Sequence, residues 1–157
     1  TLMNKPDIKK QLGVPSSVEF QSCNMQLNQQ FMMQGDSMVN GAALLSPLLE
    51  DGIRVLIYAG EADFMCNAIG NHKWVLEFDN PFHEEIQNAT NVPLYTFSKG
   101  LKPKRAGWVV KAGDHAGNLT FAWIDNAGHM VPHDQPAVSL NMLNRWLRNK
   151  DLTSFKP

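Results

Sequence analysis

The chain has 157 residues, 43% of them hydrophobic and 18% charged, a composition typical of a soluble globular protein and long enough for one domain with a single core. Its 14 Lys and Arg nearly balance 15 Asp and Glu, for a net charge of -1, which leaves no electrostatic footprint for nucleic acid or an anionic membrane. No apolar run approaches the roughly 18 residues of a membrane span, and the stretch from Thr1 lacks the basic start and apolar centre of a signal peptide, while a first residue other than Met fits a processed or trimmed N-terminus.

No repeat, low-complexity tract or long Gly/Ser linker interrupts the chain. A short helix is expected from Pro6, with Ile8 and Leu12 on one face and Gly13 to end it. Ala42, Leu45, Leu48 and Leu49 have the spacing of a second helix, closed by Gly52. Arg54-Val55-Leu56-Ile57-Tyr58-Ala59 is an almost wholly apolar, partly β-branched run that reads as a central strand buried on both faces. A further helix is expected around Trp74, Val75 and Phe78, followed by a polar middle. Gly107–Lys111 and Leu119–Ile124 read as two strands joined as an antiparallel hairpin by the turn-rich stretch Gly113–Asn118. The last helix starts near Pro136 and would turn Val138, Leu140, Met142, Leu143, Trp146 and Leu147 to a core. This order is the second half of an α/β sheet, whose central strand needs neighbours from elsewhere.

Two loops end in titratable groups just past apolar strands, where sites form in open α/β sheets. Asp63 lies beyond the run ending at Ala59, and His129 beyond the run ending at Ile124. A carboxylate on one loop can accept a hydrogen bond from an imidazole on the other, fixing its tautomer and stabilising its protonated form. The order Asp before His is that of α/β-hydrolases, Ser…Asp…His. Each residue alone has a plainer reading, as turn chemistry or a backbone-satisfying loop histidine; the pairing at corresponding strand ends is what singles them out. His129 and His133 are four apart, but Pro132 stands between them and no His-Glu-x-x-His pattern is present, so no metal is assigned. Gly35-Asp36-Ser37-Met38-Val39 lacks the second Gly of a nucleophile elbow, and no such elbow occurs anywhere in the chain. Met25, Met32, Met33 and Met38 are read as core filler or an interface.

Asn88-Ala89-Thr90 and Asn118-Leu119-Thr120 are N-glycosylation sequons, which favour a secretory route. Cys23 and Cys66 are the only cysteines. Their spacing is compatible with a mutual bond, with a bond to a partner outside the chain, or with two free thiols.

The segment Ile53–Asn67 closely resembles the Asp segment of serine carboxypeptidases of the yeast carboxypeptidase Y and plant carboxypeptidase III type, and Asn126–Pro136 resembles their His segment. Leu2–Val14 and Ser22–Asn24 extend the resemblance over nearly the whole chain, weakest between about Asp79 and Lys104. It implies that residues 1–157 are the C-terminal portion of one α/β-hydrolase domain, with a mixed, mostly parallel central sheet flanked by helices. It further implies that Asp63 and His129 are the triad Asp and general base, that Cys66 and Met130 line the substrate pocket, and that Cys66 is a free thiol while Cys23 pairs with the N-terminal part. The Ser nucleophile, the oxyanion-hole donors and the residues that grip the substrate's terminal carboxylate belong to that other segment or chain. The implied activity is release of C-terminal amino acids from peptides, without a cofactor, in a lysosome, vacuole or secreted setting, and in the complete enzyme as a possible homodimer; this chain alone is expected to be inactive. Acyl transfer or hydroxynitrile lysis by the same residue pair, and a non-catalytic subunit, are the rival expectations.

Overall fold

The computed structural model describes residues 1–96 and 103–153, and the chain divides into two units, Thr1–Asn40 and Gly41–Pro157. In the first, helix α1 (Pro6–Gln11) has Pro6 in its first turn, and Gly13 takes a left-handed φ of 68° beyond its end. The Asn4 side chain ties down the far end of this segment, donating to the Phe20 carbonyl at 2.9 Å and accepting from the Phe20 amide at 2.7 Å. Helix α2 (Met25–Met33) is capped by Asn24, whose Oδ1 accepts from the Leu27 amide at 3.0 Å. Met25, Met32, Met33 and Met38 are all exposed. They fill no core of this unit.

The second unit begins with a 3₁₀ turn, Gly41–Leu44, and helix α3 (Ser46–Glu50). The single helix expected through Ala42 and Leu49 is thus split. Pro47 has no N–H to give to a continuous helix and sits instead in the first turn of α3. Strand β1 (Val55–Gly60), helices α4 (Ala68–Glu77) and α5 (His83–Asn88), and strands β2 (Val92–Thr96), β3 (Lys104–Ala112) and β4 (Leu119–Ile124) follow. The chain then forms the short α6 (Val131–Asp134) and the long α7 (Pro136–Leu147).

The strands form one mixed sheet in the order β1-β4-β3-β2. β1 and β4 are parallel, whereas β3 is antiparallel to both of its neighbours. A mostly parallel sheet was expected; within this chain the parallel pairing is the minority. The physical reason is the connections: the β3–β4 link is a tight hairpin, with Gly113, His115 and Gly117 at positive φ, and a parallel pair needs a far longer crossover.

β4, not β1, is the strand buried on both faces. Its Leu119 and Phe121 pack with Val75, Ile86 and Val110 under α4 and α5, and its Ala122 and Ile124 pack with Val109, Val138 and Met142 under α7. β1 is an edge among the described strands, with Leu56 and Ile57 half-buried and Tyr58 exposed. On α7, Val138, Met142 and Trp146 are buried as expected, but Leu140, Leu143 and Leu147 are exposed. Two residues along a helix rotate the side chain by about 200°, so Leu140 cannot share the face of Val138.

The two sequons also part company. Asn88 is exposed at the end of α5, whereas Asn118 is half-buried and its Thr120 lies wholly inside β4, with Oγ1 donating to the Ala116 carbonyl at 2.7 Å.

Candidate active site

Because β1 and β4 run parallel and side by side, they end together: the last pair in their register is Gly60 with Ile124. The loops leaving these two ends therefore emerge next to each other. Gly60 allows the approach, since a Cβ there would lie 2.4 Å from the Ala127 carbonyl oxygen and 2.3 Å from that of Gly128.

On the first loop, Asp63 follows β1 in a tight turn, its amide donating to the Gly60 carbonyl at 3.2 Å. One carboxylate oxygen, Oδ1, accepts from the amides of Met65 and Cys66, each at 3.0 Å. That arrangement points the other oxygen, Oδ2, at the second loop. The exit of the first loop is held as well. Asn67 caps α4 by accepting from the Gly70 amide at 2.7 Å, and Asn71 donates back to the Cys66 carbonyl at 2.9 Å.

On the second loop, His129 places Nδ1 2.9 Å from Asp63 Oδ2. The Asp63 side chain is 6% exposed and that of His129 65%. The hydrogen bond from His129 is the main reason the Asp63 pKa lies below its usual value; burial opposes this, and the amides of Cys66 and Met65 add to it, with the attraction of His129's charge. An ionised Asp63 fixes the imidazole with its proton on Nδ1, which leaves the opposite ring nitrogen, Nε2, to act as the proton acceptor. The pair can accept a proton at Nε2, and the imidazolium so formed is stabilised by a carboxylate that stays ionised.

The structure brings Cys66 to this pair, with donor atoms of Asp63, Cys66 and His129 all within 4.8 Å of one another. Such donors can in principle bind a cation. Here both carboxylate oxygens are engaged, and a cation would have to break the bond to His129, so the set serves proton transfer better than ligation. Met130 is adjacent and exposed, together with Phe64 and Met65 at the tip of the first loop. His133 is turned to its neighbour Asp134, Nδ1 to Oδ1 at 3.1 Å, and does not join His129 as a ligand pair. Cys23 and Cys66 are both exposed free thiols. Glu61, Asp134 and Gln135, which sequence reading did not single out, make side-chain bonds to the His129 loop. Polar residues at such positions carry no distinctive spacing that would have revealed them.

The serine carboxypeptidase family model matches residues 1–149. The chain belongs to the serine carboxypeptidase family. It is 41% identical over 150 residues to carboxypeptidase Y homolog A of Botryotinia fuckeliana, covering 96% of this chain and 26% of that protein. It is 39% identical over 148 residues to serine carboxypeptidase-like 48 of Arabidopsis thaliana, covering 94% and 27%. In fold it is similar to the crystal structure of Kex1(delta)p, a prohormone-processing carboxypeptidase from Saccharomyces cerevisiae. That match has a TM-score of 0.68 at 22% identity and covers 94% of this chain and 30% of the other. The chain thus spans about a quarter of the length of the carboxypeptidase relatives it matches. No helix among the described residues is long and apolar enough to cross a membrane.

Proposed function

We propose that this chain is the C-terminal segment of a serine carboxypeptidase with an α/β-hydrolase fold, supplying the Asp and His of its catalytic triad. The observation that carries the reading is the 2.9 Å contact between His129 Nδ1 and Asp63 Oδ2 at the paired ends of two parallel strands. A Ser from another segment of the same protein, or from a companion chain, would lose its proton to His129 Nε2 as it attacks the last peptide carbonyl. His129 would return that proton to the leaving amino acid and then activate water to release the acyl group. Asp63 would hold the ring and stay ionised throughout. Cys66, close to the pair, and the exposed loop neighbours Met130, Phe64 and Met65 would form the wall against the peptide's terminal side chain. With no nucleophile elbow in its sequence, the chain alone would be inactive.

The same reading has Cys23 pairing with a cysteine of the missing segment in an oxidising compartment, vacuolar, lysosomal or extracellular. Of the two sequons, Asn88 would carry the glycan, because a sugar at Asn118 would have to share space with a strand whose Thr120 is buried.

The test is Asp63→Asn in the full-length protein, assayed on an N-blocked dipeptide. Turnover is expected to fall by about 10⁴ while the variant still folds, read as a cooperative thermal transition. Near-normal turnover would remove Asp63 from the mechanism.

A further inference from the structure

The catalytic pair is only as well placed as the loop that carries His129, and that loop has little regular structure of its own. Between the end of β4 and the start of α6, the chain passes through Asn126, which takes a left-handed φ of 55°. A non-glycine residue held there costs energy that neighbouring contacts must offset. Both backbone polar groups of Asn126 are gripped by side chains. Glu61 Oε2 accepts from its amide at 2.9 Å, and Gln135 Nε2 donates to its carbonyl at 3.1 Å. Two backbone bonds lie beside them: the Glu61 amide donates to the Ile124 carbonyl and the Ala62 amide to the Ala127 carbonyl, each at 2.9 Å. On the far side of His129, Asp134 Oδ2 accepts from the Gly128 amide at 2.8 Å.

We propose that Glu61 is a positioning residue for His129: from the loop that carries Asp63, it clamps the strained Asn126 turn so that the imidazole meets the carboxylate. Gln135 completes the clamp from the start of α7. Glu61 binds the backbone of the His129 loop rather than the Asp63 carboxylate or the imidazole. Its effect is carried by the spacing of the two loops, because it sits two residues before Asp63 and bonds three residues before His129. An accepting oxygen is what the position requires, and the negative charge is incidental.

This inference rests on the reading of Asp63 and His129 as the catalytic pair. In the full-length enzyme, Glu61→Ala is expected to lower kcat about tenfold, the equivalent of one hydrogen bond lost from the frame, with KM within about twofold of the parent. Glu61→Gln, whose amide oxygen can accept the same N–H, is expected to restore kcat to within about twofold. The downfield proton resonance of the His129–Asp63 hydrogen bond should broaden in the Ala variant and persist in the Gln variant, a change that a general loss of stability would not single out. A parental kcat in Glu61→Ala, or a Gln variant as slow as the Ala variant, overturns the proposal. If Glu61→Ala does not fold, Gln135→Met loosens the other jaw of the clamp; it is expected to slow kcat in the same way, and a parental rate there overturns the proposal too. Asp63→Asn measured alongside separates the two levels. If Asp63→Asn turns over normally, the catalytic reading itself fails; if it is dead while Glu61→Ala is not slowed, only the positioning role falls.

Discussion

His72, on α4, packs its ring edge-on to Trp108 at 4.9 Å and tilted against Phe121 at 5.3 Å. Its Nε2 is buried without a hydrogen-bond partner. Burial therefore holds the imidazole pKa below its ordinary value, since the charged form would lose its hydration with nothing to replace it. Below about pH 6.5 the unfolded chain takes up a proton at this residue while the folded chain does not. Its contribution to stability is thus fully present above that value and is lost as the pH falls toward the lower folded pKa. Asp63 acts in a separate window. Its lowered pKa adds stability above its ordinary value of 3.8, lost only as the pH falls further, through the folded value. His72→Phe should accordingly flatten the fall of the thermal midpoint that begins below about pH 6.5 and leave the separate loss from Asp63, below its ordinary value of 3.8, in place. A melting series across that range on the full-length protein decides it: an unchanged slope in the variant would mean that the His72 ring is hydrated or charged in the fold.

At the scale of elements, α7 shows how the same residue type does two jobs on one helix. Val138, Met142 and Trp146 recur at every fourth position and close the core over Ala122 and Ile124 of β4. Trp146 is further fixed by the Arg54 guanidinium 4.5 Å above its ring, and Arg54 in turn donates to Asn149 at 3.2 Å. Met142→Ala should cost about 2–5 kcal/mol through lost burial and the cavity left behind, read as a shift in denaturant midpoint. A shift of less than about 1 kcal/mol would mean that α7 repacks. The helix itself was plain in the sequence. Which of its leucines faced inward was not, because Leu140, Leu143 and Leu147 make a second apolar stripe, and periodicity cannot choose between two apolar faces. β1, β3 and β4 were legible as apolar runs, and the Asp63–His129 pair was legible because each residue stands just past one of them. β2 escaped because Pro93 lies within it, and a proline argues against a strand unless the strand is at an edge, where this one lies among the described strands. α5 and β2 both fall in the stretch from Asp79 to Lys104, whose sequence reads as polar and variable, while residues 97–102 lie outside the described residues.

For the whole molecule, the outer stripe of α7 and the open edge of β1 belong to one feature. Leu56, Tyr58, Pro132, Pro136, Leu140 and Leu143 line an apolar groove of about 260 Å³. β1 is paired only with β4 among the described strands, although its residues are those of a strand made for burial on both sides. Continuous apolar surface beside a strand edge invites association unless something covers it. Since the carboxypeptidase Y homologue this chain resembles is about four times as long, the proposed cover is the preceding segment of the same enzyme, the one that would bring the Ser. This makes opposite predictions for one pair of substitutions. In the isolated 157-residue chain, Leu140→Glu with Leu143→Glu replaces exposed apolar groups by charges. It should leave the melting temperature within a few degrees and reduce self-association in sedimentation. In the full-length protein the same pair would place two carboxylates against an apolar partner with no counter-charge, and the yield of folded protein should collapse. If the full-length double variant folds and cleaves peptides normally, this face is open to solvent in the enzyme, and the missing segment must reach Asp63 and His129 from elsewhere.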